Sequence, residues 1–255
     1  MFPLRDNIPT DRTPVVTIAL IVINCLVYLF LQPKSGIDLS GNSLNQADLF
    51  HYGAIPYELT HSGQHCELVD QGARVACAKA VRTDIPTALT LLTSMFTHAG
   101  LLHLGGNMLF LWIFGNNVED AMGPVRFVVF YLLGGLAALA LQTAINPDSV
   151  VPTLGASGAI AGILGGYLLM YPRARVLTLV FLLIFFTFIE LPAIVFLFIW
   201  FAQQAIFGAI GLTNPTGDGG GVAYFAHVGG FAFGLLAVRL FARRRSATYE
   251  SLPRP

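Results

Sequence analysis

Charge is scarce in this chain of 255 residues. Only 11% of them are Asp, Glu, Lys or Arg, against 55% hydrophobic, where soluble domains carry about 25% charged residues. That excludes an ordinary water-soluble domain, and the chain reads as a polytopic membrane protein with lipid as the solvent for most of it. The net charge is zero and the one concentrated basic stretch is Arg243-Arg244-Arg245. This triplet follows an apolar run, so a membrane-flanking role is favoured over nucleic-acid binding. A cleavable leader is also missing from the pattern: residues 1–14 are polar, and the first apolar run is too long for a signal h-region and lacks a small-residue cleavage site. No long internal repeat stands out. Cysteine is limited to three. No zinc motif accompanies His61, His65 and Cys66, which read as solvated loop residues rather than metal ligands.

What is present is a series of apolar runs. A helix needs about 20 residues to cross the hydrocarbon core, and six runs qualify or nearly do: about 14–31, 101–117, 124–145, from Ser157 to near Tyr171, 190–207 and 222–241. The stretch 176–210 is apolar for longer than one crossing requires. Pro192 divides it, so residues 176–189 are assigned to the cytoplasmic interface and the fifth span starts at Glu190, itself given an interfacial structural role. The expected fold class is an all-α membrane protein: one six-helix bundle over 1–255, with a long outer loop at about 32–100 between the first two spans and a basic tail at about 242–255. The segment 119–124, Glu-Asp-Ala-Met-Gly-Pro, reads as a tight turn. His98 is expected to fold the loop onto the second span.

Lys and Arg collect on the cytoplasmic side of a membrane protein. With both termini on one side, that side holds Arg5, Arg12, Arg126, Arg173, Arg175, Arg239, Arg243, Arg244, Arg245 and Arg254, and the other only Lys34, Arg74, Lys79 and Arg82. Both termini are therefore expected in the cytoplasm, and spans two, four and six run from outside to inside. Cys66 and Cys77 fall in the outer loop, where an oxidising compartment favours a disulfide; Cys25 falls in the first span and stays free.

Three polar motifs interrupt the apolar runs: His103-Leu104-Gly105-Gly106-Asn107, Gly155-Ala156-Ser157-Gly158 and Ala226-His227. Taken singly, a serine among glycines is packing, because small residues let membrane helices approach closely. An ionisable residue inside a span is a functional hypothesis by default. With a rise of about 1.5 Å per residue, Ser157 lies about 21 Å above the inner end of its helix, and His227 and Asn107 about 18 Å above theirs. Three polar groups at one depth, on three helices of the same direction, point to a shared site. Gly158, Gly162 and Gly166 match the spacing of Gly230 and Gly234, so the two faces can pack closely and bring Ser157 within hydrogen-bond reach of His227. A weak hydroxyl nucleophile needs such an adjacent base. Ser157 also opens a helix, whose first N–H groups are unpaired and carry partial positive charge, ready donors for an oxyanion.

These residues resemble the rhomboid family of intramembrane serine proteases. The resemblance rests on Gly155-Ala156-Ser157-Gly158, on Ala226-His227 followed by Gly230-x-x-x-Gly234, and on His103-x-x-x-Asn107; Pro3-Leu4-Arg5-Asp6 looks like bacterial members. It covers the six-helix core. It implies Ser157 as nucleophile and His227 as general base, a dyad without a carboxylate, and Asn107 and His103 joining the Ser157 N–H as oxyanion hole. The sequence agrees, because no Asp or Glu falls at motif depth in spans two, four and six. It implies no cofactor and no metal, transmembrane proteins as substrates cut near the outer surface of a bacterial inner membrane, and an approach path near span five, here rich in Phe196, Phe198, Trp200 and Phe201.

The chain departs from the family pattern at two places. Leu89 and Thr90 stand where many members carry Trp-Arg, and Ala161 stands where many place a Tyr that stacks on the histidine. Two rival readings stay open: a small transporter, which the absence of a coupling carboxylate disfavours, and a catalytically silent rhomboid-like binder of membrane proteins, which retention of both Ser157 and His227 disfavours. Gly217-Asp218-Gly219 lies in a polar loop without a second membrane aspartate and is rejected as an aspartyl site.

Overall fold

The computed structural model describes residues 1–32, 46–69, 74–79, 85–182, 185–213 and 223–243. Residues 214–222, which hold Gly217-Asp218-Gly219, and Lys34, Arg82, Arg244, Arg245 and Arg254 of the charge count lie outside the described residues. In chain order the elements are β1 (Phe2–Asp6), α1 (Val15–Leu26), α2 (Gln46–Tyr52), α3 (Pro56–Thr60), β2 (His65–Val69), β3 (Arg74–Ala78), α4 (Thr87–Thr93), α5 (Leu101–Phe110), α6 (Asn116–Met122), α7 (Pro124–Ile145), α8 (Ser157–Met170), β4 (Arg175–Leu182), β5 (Phe185–Pro192), α9 (Ala193–Thr213) and α10 (Tyr224–Phe241). A π-helical turn extends α1 through Val27–Leu31, and another, Leu111–Gly115, fuses α5 to α6. The chain is mostly helical. Among the described residues three helices are long and apolar enough to cross a membrane, Pro124–Ile145, Ala193–Leu212 and Tyr224–Phe241; Val15–Leu31 and Ser157–Met170 are apolar but shorter.

The second apolar run is longer than its hydropathy suggests. The helix continues through Glu119 and Asp120 and stops only at Gly123, whose φ of +80° breaks it. Glu119 stays helical because it has a distant partner. Its carboxylate accepts the backbone N–H groups of Val16 and Thr17 at 2.9 and 2.7 Å and the Thr17 hydroxyl at 2.8 Å. It thus satisfies the unpaired donors at the start of α1, where a negative charge also meets the positive end of the helix dipole.

α8 is the central element, buried among α7, α10 and the α5–α6 helix. Its glycines set the spacing. A Cβ built on Gly230 would fall on the carbonyl oxygen of Gly158, and one on Gly234 on that of Gly162. The two small-residue faces therefore meet in register, 158 against 230 and 162 against 234. Gly229 performs the same service toward α7, where a Cβ would lie 2.9 Å from the Ala137 carbonyl.

The all-α expectation needs correction at both ends of the molecule. Residues 176–182 and 185–189 of the run expected at the cytoplasmic interface are extended: they form most of the antiparallel pair β4–β5, with β1 added along β4. β-Branched and aromatic residues favour this extended state. Its faces carry exposed Phe181, Phe185, Phe186 and Phe188. Glu190 lies in β5, paired with Arg175 at 3.5 Å, and the helix expected as the fifth span, α9, begins at Ala193 and runs to Thr213. In the loop before α5, β2 and β3 form a second hairpin in which Cys66 and Cys77 are directly opposite and disulfide-bonded; Cys25 is free. His65 lies 3.6 Å from Glu58, and His61 stacks on Tyr57 at 4.0 Å. Among the described residues no three His, Cys, Asp or Glu side chains gather as a metal site.

Candidate active site

The site is assembled from four helices. Ser157 is the first residue of α8, preceded by Gly155 with φ +110°. That backbone state suits glycine, and here the space requires it as well: a Cβ on Gly155 would come within 2.8 Å of the His103 ring and 3.5 Å of Asn107 Nδ2. The glycine thus brings the segment before Ser157 against His103 and Asn107, one turn apart on α5. Among the described residues no side chain caps the N-terminus of α8.

The loop before α5 is tied down by paired bonds. The Gln32 side-chain amide donates to the His98 carbonyl and accepts the His98 N–H, both at 3.0 Å. Gly155 N–H donates to the Ser94 carbonyl at 2.8 Å. The His98 ring is fully buried, and burial, with His103 adding to it, pushes its pKa down to about 3. It is therefore neutral, and its Nε2 accepts the Ala156 N–H at 3.5 Å. His98 ties the loop to the end of the first apolar helix and to the segment before Ser157, in addition to packing beside His103, 5.2 Å between ring centroids.

His227 enters from α10. Its Nε2 lies 2.8 Å from Ser157 Oγ, and its Nδ1 lies 2.8 Å from Gln204 Oε1 on α9. The start of α10 is held by Gln142 of α7, whose Oε1 accepts the Ala226 N–H at 3.2 Å. The Trp200 ring packs beside the imidazole, with centroids 5.9 Å apart. Ser157, His227, His103, Asn107, Trp200 and Gln204 all line one cavity of about 660 Å³. Asn107 is buried, and its Nδ2 has no hydrogen-bond partner among the described residues. A buried donor left open is uncommon and calls for a reason.

All four residues singled out by sequence meet here. Gln204 and Gln142 were missed. Each is a polar residue in an apolar run, the very signal that marked His227. Of the aromatic residues expected along the approach path, Phe196 is buried against Phe110 and Phe114, while Phe198 is exposed.

Long apolar helices with a polar cluster sunk between them define a helical, integral membrane protein. A family model described as Rhomboid domain matches residues 86–244, more than half of the chain, and the chain belongs to the rhomboid family. It is 30% identical over 156 residues to Rhomboid protein 1, mitochondrial, of Saccharomyces cerevisiae, covering 60% of this chain and 41% of that protein. It is 29% identical over 155 residues to the rhomboid protease GluP of Bacillus subtilis, covering 61% of this chain and 24% of the relative. Over 97 residues it is 33% identical to the mouse presenilin-associated rhomboid-like protein, mitochondrial, covering 37% and 26%. The match spans less than half the length of each of these relatives, which come from both mitochondria and bacteria.

Proposed function

We propose that this chain is an intramembrane serine endopeptidase that hydrolyses peptide bonds in or near transmembrane segments of other proteins. The observation that carries the reading is the 2.8 Å contact between Ser157 Oγ and His227 Nε2, at a cavity wall that also presents the open amide of Asn107. His227 Nε2 takes the Ser157 proton as Oγ attacks the scissile carbonyl. The tetrahedral oxyanion is held by Asn107 Nδ2, His103 and the Ser157 N–H, donors already in place before charge develops. His227 then returns its proton to the leaving amine, and a water from the cavity, activated by the same imidazole, releases the acyl group from Ser157.

We further read six crossings: α1 with its π-turn, α5 through α6, α7, α8, α9 and α10. α8 is short, which sinks Ser157 below the surface, and the irregular backbone before it lines a cavity, the setting in which membrane-depth loops are tolerated. Both termini are assigned to the cytoplasm. Arg5, Arg173 and Arg175 lie on or beside the β1–β4 pair, and Arg126 donates to the Phe241 carbonyl at the end of α10 at 3.1 Å, so the arginines gather at the end away from Ser157. The Cys66–Cys77 disulfide fits an outer, oxidising side. The membrane we assign is a bacterial inner membrane.

The test uses purified protein, a model transmembrane substrate and a fluorophosphonate probe. Wild type is expected to cleave and to label; Ser157→Ala abolishes both. Labelling that persists in Ser157→Ala refutes the nucleophile assignment. Capture of the substrate with neither cleavage nor labelling favours the silent binder instead.

A further inference from the structure

Gln204 lies on α9, one helical turn beyond Trp200, and it is only 8% exposed. Its side-chain amide has two neighbours. Nε2 lies 3.4 Å from the Trp200 carbonyl oxygen, and Oε1 lies 2.8 Å from His227 Nδ1.

The two contacts fix the direction of the amide. A backbone carbonyl only accepts, so the amide nitrogen faces Trp200 and the amide oxygen faces the imidazole. That oxygen also only accepts, so His227 Nδ1 must carry the hydrogen. A neutral imidazole has one N–H, and Nε2 is therefore the bare nitrogen, 2.8 Å from Ser157 Oγ. With the amide reversed, its NH₂ group would face Nδ1, the ring hydrogen would move to Nε2, and the nitrogen beside Ser157 would have no lone pair for its proton. The direction of one amide on α9 thus decides whether His227 can act as a base.

The geometry points to Gln204 as the positioning residue of His227, a neutral amide in the place where a carboxylate orients the histidine of Ser-His-Asp enzymes. It transfers no proton. The Ser157 proton passes to Nε2 and on to the leaving amine, while Gln204 Oε1 keeps Nδ1–H throughout and turns the negative end of its dipole toward the imidazolium. Trp200, on the same helix face, fixes the ring plane. Two α9 residues four apart therefore hold the imidazole.

This assignment rests on the serine-hydrolase reading, and the experiment separates the two. Gln204→Met keeps the length and removes the acceptor. Gln204→Glu keeps an acceptor toward Nδ1 whether ionised or neutral. Fluorophosphonate labelling rates, kcat and KM for a transmembrane substrate, and thermal stability are measured for each. Gln204→Met is expected to lower the labelling rate and kcat by roughly 10–100-fold, the cost seen where a metal-bound histidine loses the partner that orients it, with KM and Tm close to wild type. Gln204→Glu is expected to recover most of that loss. A Gln204→Met protein that labels at the wild-type rate overturns the assignment, and so does a Gln204→Glu protein no better than Gln204→Met. A wild-type protein that does not react with the probe at all overturns the hydrolase reading itself, and the assignment falls with it.

Discussion

α8 carries a hydroxyl near each end, and each is bonded to a titratable side chain from a distant element. At one end Ser157 Oγ meets His227 Nε2 at 2.8 Å. Ten residues on, Tyr167 Oη donates to Asp6 Oδ2 of β1 at 2.6 Å. As pairs the two look alike; their surroundings do not. Asp6 Oδ2 also accepts from Asn117 Nδ2 at 2.8 Å, and the Ile8 backbone N–H adds a further bond to its carboxylate. The side-chain donors there are spent on Asp6, although Asn117 Oδ1 is left without a donor among the described residues, and the result ties β1 to α6 and α8. At Ser157 the cavity opens, and among the described residues the helix start has no side-chain cap and Asn107 Nδ2 has no partner. Unspent donors beside open space, rather than the polar pair itself, separate a site equipped to react from one equipped to hold.

The largest effect is expected from a change that breaks both ends together. Gly234→Val drives a branched side chain into the Gly162 carbonyl, a backbone atom that cannot turn aside. Parting α8 from α10 should cost about 3 kcal/mol or more, at or beyond the usual range for overpacking. It should lower Tm and abolish fluorophosphonate labelling in the same sample. Gly211→Ala on α9 is the matched control: a Cβ there meets nothing within 4 Å, and the helix should gain up to about 1 kcal/mol. A Gly234→Val protein with wild-type Tm would show that the glycine seam does not hold the two ends in place.

The next change sharpens the contrast between the ends. Asn107→Ala removes a donor that bonds nothing at rest, so Tm should stay at the wild-type value while kcat falls about 10²-fold, the lower end of the range for one oxyanion donor because His103 and the Ser157 N–H remain. Asn117→Ala removes a donor already engaged with Asp6, so Tm should fall and kcat should hold. Thermal melts and turnover on the two variants decide it. Equal loss of Tm in both would place Asn107 among the packing residues.

Much of the Ser157 end was legible because its signals are local. Helix rise set the three motifs at one depth, and four-residue glycine spacing predicted the seam. What escaped has long-range causes. The helix through Glu119 outlasts its hydropathy because the carboxylate serves α1, about a hundred residues away. β4 and β5 hid their alternation because their outward residues Phe181, Phe186 and Phe188 are as apolar as most of the inward ones, so no polar beat marked a strand. The partner of β4 is β1, at the opposite end of the sequence. Gln203 and Gln204 are adjacent, and an apolar run cannot say which of the two faces His227. Asp6, Asn117 and Tyr167 come from three separate stretches, and no spacing rule connects them.

The smallest expected effect has the opposite sign and tests the closed end directly. Burial is the main influence on Asp6 and outweighs the hydrogen bonds from Tyr167 and the backbone, pushing its pKa up from 3.8 to about 6. The folded state therefore binds this proton more tightly than the unfolded chain does. The stability it contributes is fully present below pH 3.8 and is lost as pH rises through 6. At pH 7.5 the ionised carboxylate works against the fold. The whole shift corresponds to about 3 kcal/mol, and partial contact with water reduces the expected effect to about 1–2 kcal/mol. Asp6→Asn retains an oxygen that can accept from both Tyr167 and Asn117 while removing the charge. It should be more stable than wild type at pH 7.5, equal to it near pH 4, and flat between. Asp6→Ala removes the acceptor that Tyr167 and Asn117 share and should be less stable than Asp6→Asn throughout, by about 1–3 kcal/mol. Melting curves across this pH range provide the measurement, and kcat at pH 7.5 completes it. If Asp6→Asn slows turnover without losing stability, the two ends of α8 are coupled, and the division between a holding end and a reacting end fails.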